Sequence, residues 1–204
     1  MMGLCSVALL LMDVRLGQES VRGIFSDIVP GTDYWLPYQA LFGINTTLTV
    51  CMLTGISLLF LFCAGLGRHM SIRGAHMGFL WFQALFFLYL ACDERLLIHE
   101  KIGSLLSIND AIWILALGVV ELLVLVFIGD VVRLPWRIKG WLLAAATGFS
   151  IMVCVDALFP SQMPGRLALE DLSKTWAIIF LLIYAWQYCT DFIISSFGKL
   201  TNGT

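Results

Sequence analysis

Five blocks of the chain are almost continuously apolar: 36–66, 76–98, 110–128, 138–159 and 175–197. A helix needs about 20 such residues to cross a hydrocarbon core of about 30 Å, and each block is close to or beyond that length. None alternates apolar and polar residues in the manner of a membrane β-strand. A spanning segment must satisfy its own backbone hydrogen bonds, so all five blocks are predicted helices. The breaks between them carry turn chemistry. Gly65-Leu66-Gly67-Arg68 ends the first, and Ser107-Ile108-Asn109-Asp110 supplies an N-cap for the third. Leu134-Pro135-Trp136 and the stretch from Pro160 to Gly165 separate the rest. Links this short make consecutive helices antiparallel neighbours. The predicted fold is an all-α, polytopic transmembrane helix bundle of about five spans, forming a single membrane domain over residues 1–204. Met1 to Met12 is apolar as well, but it lacks a basic n-region and an A-x-A site. It reads as an interfacial or packed helix, or as the remnant of a longer span.

Composition agrees with the pattern. Sixty per cent of residues are apolar and 13% are charged, where a soluble domain carries nearer a quarter charged. A net charge of −2 and the lack of a basic stripe exclude a nucleic-acid partner. The six cysteines form no C-x-x-C pair and five lie in apolar runs, so they read as small hydrophobes rather than as a disulfide or zinc framework. No P-loop, G-x-S-x-G or dinucleotide fingerprint is present. Trp35, Trp136, Trp141 and Trp176 fall near predicted interfaces and read as belt anchors. Asn45, Thr46, Thr47 and Thr49 polarise the first span and suit hydrogen bonding between helices.

Orientation follows from the loops. One face, A, holds the 67–75 and 129–139 loops and the C-terminal tail, with Arg68, Arg73, Arg133, Arg137, Lys139 and Lys199 against Asp130. The opposite face, B, carries Arg15, Arg22, Arg95, Lys101, Arg166 and Lys174, several of them next to acids. Counted over short loops, face A has the basic excess, so the expectation is a multi-pass cell-membrane protein with a cytoplasmic C-terminus.

Against that apolar background, charge concentrates at face B: Asp93, Glu94, His99, Glu100, Asp110, Asp156, Glu170 and Asp171. Ionisable groups at membrane depth are expensive and mark functional sites by default. On one unbroken helix, Asp93 and Glu100 are seven residues apart and share a face, with Glu94 and His99 to either side. Carboxylates plus an imidazole suit a divalent metal such as Zn, Mn, Fe or Mg. The candidate ligands are Asp93, Glu94, His99, Glu100, Asp156 and Asp171. In that reading the chain is a metal-binding hydrolase acting on a lipid or small-molecule substrate, with Glu100 as the base that takes a proton from metal-bound water. The rival is a proton- or cation-coupled transporter. There Glu121, eleven residues past Asp110 and so about 16 Å down its helix, forms a relay with Asp93 and with Asp191 toward face A. A third reading is a non-catalytic subunit of an oligomer or larger complex, whose acids pair with Arg95, Lys101 or Lys174 and merely hold helices together.

The run Asp93-Glu94-(x4)-His99-Glu100 at a helix end, Asp171-Leu172-Ser173-Lys174 opening the last helix, and Asp156 closing the fourth span resemble a group of small bacterial multi-span membrane proteins of unknown function. The resemblance covers residues 76–190 and implies a site without naming its substrate. A looser likeness is to intramembrane metal hydrolases of the ceramidase and adiponectin-receptor type. Those use several histidine ligands, whereas this chain has His69, His76 and His99.

Overall fold

The computed structural model describes residues 43–70, 74–106, 110–160 and 165–201, together with 3, 6, 7, 10, 11 and 163. Helix α1 (Ile44–His69) follows Gly43, whose left-handed φ of 63° turns the chain into the helix at no Cβ cost. Its last turn carries Arg68 and His69, where positive charge is favoured by the helix dipole. Helix α2 (Ala75–Leu96) returns antiparallel and stops at Leu97, which takes a left-handed φ of 52°. A short helix α3 (Ile98–Leu106) follows, then α4 (Asp110–Phe127) and one 3-10 turn over Val131–Arg133. Pro135 sets the extended backbone from which α5 (Trp136–Leu158) starts, and Lys139 stacks over the Trp136 ring at 5.7 Å. The last helix, α6 (Arg166–Thr201), runs for 36 residues. No strand occurs among the described residues.

These long apolar helices mark the chain as a membrane protein. Four of them, α1, α2, α5 and α6, are long and apolar enough to cross, against the five predicted. The 18 residues of α4 rise about 27 Å, a little short of a 30 Å core. One boundary also moves. Helix α1 continues to His69, beyond the predicted limit of 66, and positions 36–42 of that block lie outside the described residues.

Helix α1 packs chiefly against α2 and α6, and α6 against α5. The centre is aromatic. Phe60 of α1 is fully buried and stacks on Phe87 with centroids 6.1 Å apart, meets Phe79 edge-on at 6.2 Å, and contacts Tyr188 at 5.8 Å. Helices α5 and α6 approach closely at Gly148, where a Cβ would lie 2.9 Å from that of Ala177. Small residues at a helix crossing are how membrane helices gain packing contact. The outward faces carry Leu58, Phe62, Leu85, Leu143 and Trp186, all exposed to the surroundings of the bundle. Cys63 and Cys189 are buried as small hydrophobes, but Cys51, Cys92 and Cys154 sit on outward faces. Of the N-terminal apolar stretch, the described residues are helical, and Ser6 accepts a hydrogen bond from Trp176 Nε1 at 3.1 Å.

Candidate functional site

The helix expected to carry Asp93 through Glu100 on one face breaks between them. Helix α2 ends at Leu96, and the left-handed turn at Leu97 sends α3 off in a new direction. The cause is Asp93. One of its oxygens accepts the His99 backbone N–H at 2.8 Å, and the other meets His99 Nδ1 at 2.9 Å. A carboxylate satisfying an orphan N–H at a helix start stabilises that start, so Asp93 caps α3 from the preceding helix. Asp93 and Glu100, expected on one unbroken helix, therefore stand on two helices, α2 and α3. The Glu100 and Asp110 side chains lie outside the described residues.

The remaining acids sort into two compensated groups. Lys174, on α6, donates to Glu94 of α2 at 2.8 Å and lies 3.3 Å from Asp171, one turn away on its own helix. Thr49 of α1 donates to the same Glu94 oxygen at 3.3 Å. Thr175 joins Asn45 of α1 through a 2.8 Å bond, so α1, α2 and α6 are tied at one level. Of the polar residues at the start of the first span, Asn45 and Thr49 thus make interhelical bonds. In the second group, Arg166 bonds Asp156 at the end of α5 at 2.5 Å and reaches Glu170 at 3.7 Å. Glu170 thus pairs with Arg166 rather than Lys174, and Asp93 pairs with His99. The basic residues Arg166 and Lys174 are thus members of the site rather than its surroundings, since a buried carboxylate needs a cation or donors beside it. Their i,i+3 and i,i+4 spacing from the acids of α6 was the available signal.

The relay candidates are kept apart. Asp191 pairs with Arg137 through bonds of 3.0 and 3.1 Å at the face-A end, where both side chains are exposed. Glu121 lies inside α4 and accepts a 2.8 Å bond from Gln83 Nε2 of α2. Among the described residues, every other carboxylate whose side chain is described has a basic partner, and Glu121 has this neutral amide alone. Its second oxygen Oε2, Gln83 Oε1 and the Tyr184 hydroxyl are all buried without a hydrogen-bond partner. Gln83 and Tyr184 are fully buried. Gln83 was missed from the sequence, although it is the one amide in the apolar run from Phe79 to Cys92.

No group of three or more His, Cys, Asp or Glu side chains among the described residues is placed to hold a metal ion. Most oxygens of the candidate ligands Asp93, Glu94, Asp156 and Asp171 are taken up by ion pairs and the α3 cap. What fold and site define is a multi-pass α-helical membrane protein with a charge-paired rim and, among the described residues, the Glu121 carboxyl inside the apolar region. The chain belongs to the family described as Domain of unknown function (DUF8692), whose model matches residues 3–188. No curated protein and no solved structure matches it.

Proposed function

We propose that the protein carries protons, or a solute coupled to protons, across the membrane, and that Glu121 is the group that takes up and releases the proton. One observation carries this reading: Glu121 sits in an apolar helix beside a neutral amide, while the rim carboxylates are held by Lys174, Arg166 and His99. An ionisable side chain at that depth marks an ion pathway by default. The Gln83 amide donates to a carboxyl or a carboxylate alike, so it orients Glu121 in both protonation states. The rim network then serves to hold α1, α2, α5 and α6 together. In this reading face A, with Arg68, Arg133, Arg137 and Lys139, is cytoplasmic. The test is proton flux in liposomes containing the purified protein and a pH-sensitive dye. Flux lost in Glu121→Gln, with the fold intact, supports the proposal, and equal flux in variant and wild type removes it. The second reading, a non-catalytic subunit, is favoured by the outward faces of α4 and α5. Ile112, Leu115, Leu122, Leu143 and Ile151 there are open to a partner helix or to lipid. It expects no flux from the isolated protein.

A further inference from the structure

Gln83, Glu121 and Tyr184 come from three different helices yet meet at one depth. Glu94 and Lys174 fix a common level for α2 and α6 at the rim. Counting inward, Gln83 is eleven residues from Glu94 and Tyr184 is ten from Lys174, so both lie about 15–16 Å below that level. Glu121 is bonded to Gln83, and Tyr184 stands at the same depth on α6. Three buried polar atoms at this depth lack partners: Gln83 Oε1, Glu121 Oε2 and the Tyr184 hydroxyl. A buried polar atom left unpaired is costly and calls for a guest that pairs it.

The chemistry of the three atoms selects that guest. Gln83 Oε1 only accepts, the Tyr184 hydroxyl donates or accepts, and Glu121 Oε2 does either according to its protonation. One water matches all three, donating to Gln83, accepting from Tyr184, and accepting from the acid or donating to its carboxylate. A hard cation needs six or more oxygens, whereas the three side chains carry four, one of them already bonded to Gln83 Nε2. We infer that Gln83, Glu121 and Tyr184 form an intramembrane site that holds a bridging water and takes a proton in preference to a metal cation. This deepens the proton-linked reading and rests on it for its biological use, while the site itself is a separate matter of binding.

Infrared difference spectra of the full-length protein in detergent, taken between acid and alkaline buffer, test the site without requiring transport. The expected result is a carboxyl C=O band that disappears in Glu121→Gln and shifts in Tyr184→Phe, a change that keeps the packed ring. A sharp water O–H band that moves in heavy-oxygen water should accompany it, and Gln83→Leu should abolish that water band. Adding sodium or magnesium at constant pH should leave the C=O band unchanged. A C=O band removed by either cation overturns the choice of proton over metal. A C=O band indifferent to Tyr184→Phe, or the lack of a water band that responds to Gln83→Leu, overturns the shared site. If the bands behave as stated while liposomes show no flux, the transport reading fails and the site stands.

Discussion

Lys174 is the cation on which the rim depends, and replacing it with methionine tests that directly. The ammonium lies 2.8 Å from Glu94 and 3.3 Å from Asp171, so two carboxylates share one positive charge and the triad carries a net −1. At an effective dielectric of about 20 the two attractions amount to about 6 and about 5 kcal/mol before desolvation is charged against them. The three side chains are only 23%, 14% and 11% exposed, so solvent screens them weakly. Methionine keeps the length of the stem but leaves both acids buried without their cation. Stranding a buried charge in this way costs about 3–5 kcal/mol. Glu94→Gln acts in the opposite sense. It lowers the triad from −1 to neutral and retains the Lys174–Asp171 pair, so its cost should stay below about 1.5 kcal/mol, the worth of one ordinary hydrogen bond. A reversible denaturant titration in mixed micelles measures both, and combining Lys174→Met with Glu94→Gln and Asp171→Asn should recover most of the loss. If Lys174→Met costs less than about 1 kcal/mol, the range of an exposed pair, the rim is not a buried lock. A neutralised triple variant as unstable as the single one would refute the charge argument in favour of simple packing.

Other outcomes follow from the same geometry. Gly148→Ala should push α5 from α6 at the Ala177 contact and cost about 1–3 kcal/mol by the same titration, whereas Gly118→Ala, with open space around its Cα, should cost little. Asp93→Ala should remove the α3 cap at a cost of about 0.5–2 kcal/mol, read as faster amide hydrogen exchange in the first turn of α3. Arg137→Ala should change stability by less than about 1 kcal/mol, because its pair with Asp191 is solvent-exposed at both partners. Cysteines placed at Met163 and Val132 in a cysteine-free background should label from opposite sides of the membrane, Val132 only after permeabilisation. The reverse result inverts the orientation.

Long uninterrupted apolar blocks sufficed to read an all-α membrane bundle and the approximate place of α1, α2, α4, α5 and α6, but not the short α3. Hydropathy and helix length act locally, on the residues that carry them, and so does the turn chemistry of Pro135 and the 160–165 break. The chemistry of the site was legible only as a list of residue types. That Asp93 caps α3 follows from the break at Leu97, a left-handed turn at a residue type that seldom takes one. Which acid meets which base was decided across 80 residues for Glu94 and Lys174, and across 38 for Gln83 and Glu121. No local pattern encodes such pairings. They arise because the helix packing at Phe60 and Gly148 sets the depth and rotation of each helix, and the fold then brings to one level the side chains whose burial would otherwise be too costly.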